Sequence, residues 1–147
     1  MSNYTHQTLS LRVDHTAAPQ GSKSLWNGRL VESCKRLPAY RQAIRKVIST
    51  ELPFEWNDSL YYECFLTFCF ARSKSHFTTN KMLKANAPDH PNRLLGDIDK
   101  LSRAVLDALS GSDDIKRVWK DDTQVIRLHA DKRFDDDNYT LIDIRQI

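Results

Sequence analysis

The chain has 147 residues, of which 28% are charged, and a formal net charge of +3 at pH 7. This length fits one domain with a core of its own and excludes two domains of ordinary size. No apolar run reaches the roughly 20 residues that span a bilayer, and no basic-then-apolar leader opens the chain. We therefore expect a cytoplasmic protein that does not enter the membrane. Its three cysteines match no metal spacing, so we expect them to be reduced thiols.

The charges are distributed unevenly along the chain. Residues 1–93 carry 13 Lys and Arg against 7 Asp and Glu, whereas residues 94–147 carry 9 against 12. This asymmetry is either incidental or typical of a protein in which one surface binds phosphates while another holds a cation beside them.

Two elements are predicted before the first helix. Residues 5–13 alternate between apolar and polar side chains, which predicts a half-buried strand. Residues 18–31 place Pro, Gly and Asn around Lys23 and Trp26, which predicts a loop or a loose hairpin. An aromatic side chain flanked by cations suits nucleic acid, but a surface loop anchored by its tryptophan gives the same pattern.

A helix and a long strand follow. Apolar residues at three- and four-residue steps predict a helix from Pro38 to Leu52, and Pro53 cannot continue it. Residues 59–71 predict a central strand with one face entirely apolar and the other mixed. That second face meets either a covering helix or a second subunit.

Residues 72–93, called here the basic loop, contain five cations, one acid and no apolar period. Long irregular segments in compact domains are usually functional or mobile. We expect a flexible loop that closes over a phosphodiester backbone, and a merely disordered insertion is the competing interpretation. The cations concerned are Arg72, Lys74, Lys81, Lys84 and Arg93.

Residues 97–125 join two acidic pairs through one predicted amphipathic helix. Asp97 and Asp99 open the helix, and Asp121 and Asp122 precede the next strand. Taken singly, an Asp before a helix is usually an N-cap, and an Asp pair before a strand is usually a turn. Brought together, three of these carboxylates would make an oxygen-rich site suited to Mg²⁺ or Mn²⁺.

The end of the chain completes the predicted sheet. Residues 125–132 predict a strand with Ile126, Leu128 and Ala130 turned inward. Residues 135–138 predict a hairpin turn, and the last strand begins at Leu141. The order β-α-β-α-β-β predicts a single α+β domain in which two main helices pack on a mixed sheet of about four strands.

The central segment resembles the RusA family of Holliday junction resolvases. The resemblance rests on D-x-D-K-L-x-R-A-V-L-D-A-L followed by W-x-D-D-x-Q-V, and it is weaker at residues 19–24 and 30–33. It implies a homodimer that binds four-way DNA junctions and cuts two strands symmetrically with Mg²⁺, Mn²⁺ being a substitute. It also implies a bacterial cytoplasm, with a phage or prophage as one source of the gene.

Site residues follow from this resemblance. The family's D-x-D acids fall on Asp97 and Asp99, and its later acid falls on Asp122 with Asp121 beside it, so these four are the implied metal ligands. Arg103 stands where the family has a catalytic lysine, which keeps the charge but leaves proton delivery open. The implied DNA-binding cations are Lys23, Arg72, Lys74, Lys81, Lys84, Arg93, Lys100 and Lys132.

Two alternatives to a junction resolvase stay open. The replacement of lysine by Arg103 is compatible with a junction-binding protein that has lost catalysis. The same chemistry also serves a nuclease aimed at replication forks or flaps.

Overall fold

The computed structural model describes residues 7–21, 23–32, 34–51, 59–111, 115 and 117–147. Neither of the helices in this part of the chain is long and apolar enough to cross a membrane. The order of the main elements confirms the predicted α+β fold, and residues 18–31 contain a short hairpin. The strands and helices are β1 (Thr8–Val13), β2 (Lys23–Trp26), β3 (Arg29–Glu32), α1 (Leu37–Glu51), β4 (Tyr62–Ala71), α2 (Ile98–Leu109), β5 (Val125–Asp135) and β6 (Tyr139–Gln146).

The main sheet has the strand order β1-β6-β4-β5. Its strands pair in antiparallel fashion except for β4 and β5, which run parallel. The strand β4 is therefore interior, as its apolar sequence predicts, and β5 lies at an edge. Among the strands that the structure describes, β2 and β3 pair with each other and with no third strand.

One face of the sheet carries the core. Alternate residues of β4, including Cys64, Leu66 and Phe68, are almost completely buried. They belong to one apolar cluster with both helices, because each helix turns one stripe inward. The inward residues of the helices are Tyr40, Ile44 and Ile48 of α1 and Leu101, Val105 and Leu109 of α2. The partly exposed Glu63 and Phe65 occupy the opposite face of β4.

The predicted burial of β5 is wrong in part. Leu128 and Ala130 pair with Cys64 and Leu66 and so share the core face, but Leu128 is 43% exposed. Ile126 is 55% exposed, because it is an extra residue at the register shift between Tyr62 and Glu63. An edge strand has a neighbouring strand on one side only. The alternation of residue types does not reveal which strand lies at the edge.

The acidic turn is shorter than predicted. Asp135 is the last residue of β5, and β6 already begins at Tyr139. The Asp135 carboxylate accepts a hydrogen bond from the Tyr139 hydroxyl and another from the backbone N–H of Asp136. The Asn138 side chain accepts a bond of 2.9 Å from the backbone N–H of Ala71. These acids therefore build a turn, as expected.

All three cysteines are free, as predicted. Cys64 and Cys69 are buried, and burial raises the pKa of the Cys64 thiol to about 12. A thiol with such a pKa is protonated and unreactive near neutral pH.

We predict that the contact between α1 and β6 stabilises the fold measurably. The hydroxyls of Tyr40 and Thr140, both fully buried, form a hydrogen bond of 2.6 Å. The substitution Tyr40→Phe leaves the Thr140 hydroxyl buried without this partner, so the free energy of unfolding should fall by about 1–2 kcal/mol. Urea unfolding measures it. The double variant Tyr40→Phe/Thr140→Val should lose less than the sum of the two single variants, and strict additivity would contradict the coupling.

Candidate metal and nucleic-acid site

The outer face of α2 carries a charged stripe. Burial of the apolar stripe against the sheet leaves Asp99, Arg103 and Asp107 on the opposite side, each four residues from the next. The stripe extends about 12 Å along the helix axis. Asp99 and Arg103 are exposed, and Asp107 is partly buried.

The segment before β2 runs against this stripe. The backbone N–H of Gln20 donates to the carbonyl of Lys100 at 3.0 Å. Gly21 adopts a φ of +100°, and a Cβ there would lie 3.0 Å from Nη1 of Arg103. Glycine thus permits both the left-handed backbone and the close approach of the guanidinium. The position of Arg103 depends on this turn.

Asp107 is tied to α1 through a polar network. The Gln20 side-chain amide donates to Asp107, and Arg41 Nε donates to Gln20 Oε1 at 2.9 Å. Nη2 of Arg41 also lies 4.0 Å from Oδ2 of Asp107. Sequence patterns assign no site role to Gln20 or Asp107, and the helix face that Arg41 shares with Arg45 predicts either a solvated surface or a contact with DNA. The signals for the other two are the four-residue spacing of Asp107 from Arg103 and the place of Gln20 in the segment of weaker resemblance.

Asp121 and Asp122 play different parts before β5. Asp121 caps the short 3-10 turn Asp122–Gln124 by accepting from the backbone N–H of Thr123 at 2.9 Å, which lowers the pKa of its carboxyl. Gln124 closes this capping box and donates to the carbonyl of Leu60 at 2.8 Å. The side chain of the neighbouring Asp122 shares a hydrogen bond with that of Asp121.

Asp122 lies within the electrostatic reach of the charged stripe. Burial raises the pKa of the Asp122 carboxyl, and the hydrogen bond with Asp121 and the charges of Asp121 and Asp107 raise it further. Arg103 acts in the opposite direction. The charges of Asp107 and Arg103 on α2 therefore act on the pKa of Asp122 at the start of β5.

Two lysines lie at the beginning of α2. Asp97 occupies the N-cap position, but its side chain makes no capping hydrogen bond. Nζ of Lys100 lies 3.7 Å from Oδ2 of Asp97, and Lys132 of β5 donates to the carbonyl of Gly96 at 3.2 Å. The predicted acid Asp97 is thus flanked by two of the predicted phosphate-binding cations.

The donor chemistry of the predicted metal ligands fits a hard divalent cation. Asp97, Asp99, Asp121 and Asp122 offer carboxylate oxygens, the ligands that Mg²⁺ and Mn²⁺ prefer. Among the described residues, no group of three or more His, Cys, Asp or Glu side chains lies close enough to hold a metal ion. The metal site stays a prediction. The contacts observed at these acids include the ion pair of Asp97 with Lys100 and the bond that Asp121 accepts from Thr123.

The basic loop has internal structure. It contains the 3-10 turn Lys74–His76 and a bridge between Phe77 and Leu83. Arg72 donates to the carbonyl of Pro88 at 2.7 Å and lies over the Phe134 ring, so its side chain holds the loop in place.

The other cations of the predicted DNA surface differ in exposure. Lys74, Lys81 and Lys84 are exposed, with no ion-pair partner among the residues that the structure describes. The side chains of Lys23, Trp26 and Arg93 lie outside the described residues. The loop therefore presents three lysines to solvent.

Comparisons with known proteins add independent information. A search among curated proteins found no significant match. A family model described as endodeoxyribonuclease RusA matches residues 15–145, which include the charged stripe, the basic loop and both acidic pairs. Because this match spans most of the chain, the protein belongs to the RusA family of endodeoxyribonucleases.

Proposed function

We propose that this protein is a Mg²⁺-dependent endonuclease that resolves four-way DNA junctions by paired, symmetric cuts. The family supplies the nuclease activity. The single observation that carries the proposal is the charged stripe of α2, where the turn at Gly21 approaches Arg103 and Gln20 and Arg41 hold Asp107. A carboxylate beside an exposed guanidinium offers both a ligand for a cation and a partner for a phosphate.

Hydrolysis of a phosphodiester needs an activated water, neutralised phosphoryl oxygens and help for the departing oxygen. A divalent cation held by Asp97, Asp99 and Asp122, with Asp121 beside them, would supply a water of lowered pKa and Lewis acidity. The residues of the chain have the remaining tasks of binding the phosphate, orienting it and holding the ligands in place.

Arg103 is suited to bind the scissile phosphate. Its guanidinium is planar, stays charged at every working pH and binds two phosphate oxygens at once. For the same reason it does not deliver a proton, so we assign it charge stabilisation alone. The turn at Gly21 and the network of Gln20, Arg41 and Asp107 keep its surroundings fixed.

The lysines around the site suit a role in positioning DNA. Lys100 and Lys132 lie beside Asp97, and Lys74, Lys81 and Lys84 are exposed on the basic loop. Lysine contacts with phosphate fix the register of a nucleic acid without reading its bases. Selectivity for branched DNA then comes from the arrangement of two active sites in a homodimer.

We predict that Asp97→Asn, Asp99→Asn and Asp122→Asn each abolish junction cleavage in Mg²⁺. Junction binding should stay equal or become tighter, because each substitution removes negative charge beside a bound phosphate. Cleavage of a labelled four-way junction, with EDTA as the metal-free reference, measures the first effect, and a binding titration measures the second.

The control for these acids is Asp136→Asn, which removes one exposed carboxylate from the turn before β6 and should cleave like the wild type. An acid whose Asn variant cleaves at the wild-type rate is not a metal ligand. A wild-type protein that binds junctions in Mg²⁺ without nicking them would favour the non-catalytic alternative, with Arg103 as its cause.

We predict that the protein is a dimer at micromolar concentration. Paired incisions across a two-fold symmetric junction call for two sites related by the same symmetry. The sheet face opposite the helices is the expected contact surface, because Phe65 is only partly buried there and stacks on the exposed His129, with 4.5 Å between ring centroids. Sedimentation velocity measures the assembly. A strict monomer that still cuts both strands in one binding event would remove the symmetry argument.

We predict that the basic loop binds phosphate. The double variant Lys81→Ala/Lys84→Ala should weaken junction binding most at low salt, and its log–log salt slope should become shallower by about one unit for each lysine that binds phosphate in the wild type. Single-turnover cleavage at saturating protein should change little. The neutral neighbour Asn80→Ala controls for disturbance of the turn. Parallel lines for wild type and double variant would mean that these lysines do not touch phosphate.

A further inference from the structure

A second cationic surface lies along α1. Two hollows of about 630 Å³ and about 330 Å³ share Pro38 and Arg41 in their walls, so they adjoin. The smaller hollow reaches Arg103, and the larger one extends to Arg45 and Lys46. We call the two hollows together the α1 groove. The α1 groove leads from the charged stripe of α2 along α1, and it is separate from the basic loop.

Arg45 lines the far part of this groove, and the chain that follows α2 adds a second arginine, Arg117, nearby. Backbone hydrogen bonds from Val118 to Leu109 (3.1 Å) and from Gly111 to Trp119 (2.8 Å) fix the chain after α2. On the α1 side, Arg41 reaches Asp107 near the end of α2, and Arg45 lies one turn further along α1. The packing of α1 on α2 therefore places Arg45 and Arg117 on neighbouring segments. Burial lowers the pKa of the Arg117 guanidinium, and the positive charge of Arg45 lowers it further.

Neither guanidinium is neutralised within the described residues. No ion pair joins Arg45 or Arg117 to a carboxylate there. Nε of Arg45 is also buried without a hydrogen-bond acceptor in that part of the chain. Arg41 differs, because its guanidinium donates a hydrogen bond to Gln20 and lies 4.0 Å from the carboxylate of Asp107. Two like charges and a buried unpaired donor destabilise a fold unless a ligand supplies the missing negative charge.

We propose that Arg45 and Arg117 bind a backbone phosphate of a DNA arm that leaves the cleavage site along the α1 groove. This assignment rests on the proposed function, since the groove begins at Arg103. Arginine forks match phosphate geometry. The larger hollow is lined by Pro38, Arg41, Gln42, Arg45 and Lys46, which include no aromatic side chain for stacking on bases. The groove therefore binds the DNA backbone independently of base sequence.

The proposal predicts an unusual combination of stability and binding. Replacement of an arginine that serves the fold lowers the stability of the protein. Arg117→Gln should instead leave the unfolding midpoint in urea unchanged or raise it in the absence of DNA, because the substitution removes a like-charge repulsion. A clear loss of stability in this variant would mean that Arg117 has a structural role, and it would overturn the proposal.

The test uses the full chain, a four-way junction and EDTA, so that binding is measured without cleavage. The double variant Arg45→Gln/Arg117→Gln should bind with a log–log salt slope shallower by about two units than that of the wild type. Arg36→Gln is the matched control, because it removes one charge from a hollow lined also by Asp14 and Asp137. Its slope should stay that of the wild type. A double variant with the wild-type slope overturns the proposal.

Further measurements distinguish a failure of the proposed function from a failure of the α1 groove proposal. If the wild type neither binds nor cuts junctions, the proposed function fails. If it does both and the double variant matches it, only the α1 groove proposal fails.

Inorganic phosphate is the probe for a free-anion site. Stabilisation of the wild type by phosphate with an unchanged DNA slope in the double variant would show a site for free phosphate and overturn DNA binding there. If the double variant does not fold, Arg117→Gln alone is used, with an expected slope change of about one unit.

Discussion

Burial of one face of α2 against the sheet is the interaction on which the rest of the structure depends. Leu101, Val105 and Leu109 are completely buried. Because a helix has 3.6 residues per turn, this burial directs Asp99, Arg103 and Asp107 to the outer side. Neighbouring elements supply further groups of the candidate site. Gln20 and Arg41 contact Asp107, and Asp122 approaches from the start of β5.

Opposite charges are arranged around this stripe in a way that serves DNA cleavage. The acids lie at both ends of the segment that contains α2, and exposed cations lie on the basic loop and along α1. Few of these cations are neutralised among the described residues, so they remain available for phosphates. Among the acids, Asp107 accepts a hydrogen bond from Gln20 and lies 4.0 Å from Arg41. It is better suited to hold neighbouring side chains in place than to carry the reaction.

The sequence predicts those features that depend on local periodicity. The apolar stripe of α2 and the alternation in β4 were sufficient to identify both elements and the order of the fold. Contacts between segments that are far apart in the sequence produce no periodic pattern in it. Gln20 and Asp107 lie 87 residues apart, and nothing in either segment indicates their hydrogen bond. The segments that carry Arg45 and Arg117 become neighbours through the packing of α1 on α2, which neither sequence segment indicates. The exposure of Ile126 depends on a register shift that alternation does not encode.

We propose that the protein resolves branched DNA by two symmetric cuts, and the positions of the cuts on one four-way junction test this proposal. Each of the four strands is labelled in turn, and the products formed by the wild-type protein in Mg²⁺ are sized beside those of a linear duplex of the same sequence. We expect nicks at matching positions in two opposed strands and an uncut duplex. Cuts in one strand only, or equal cutting of the duplex, would contradict this claim.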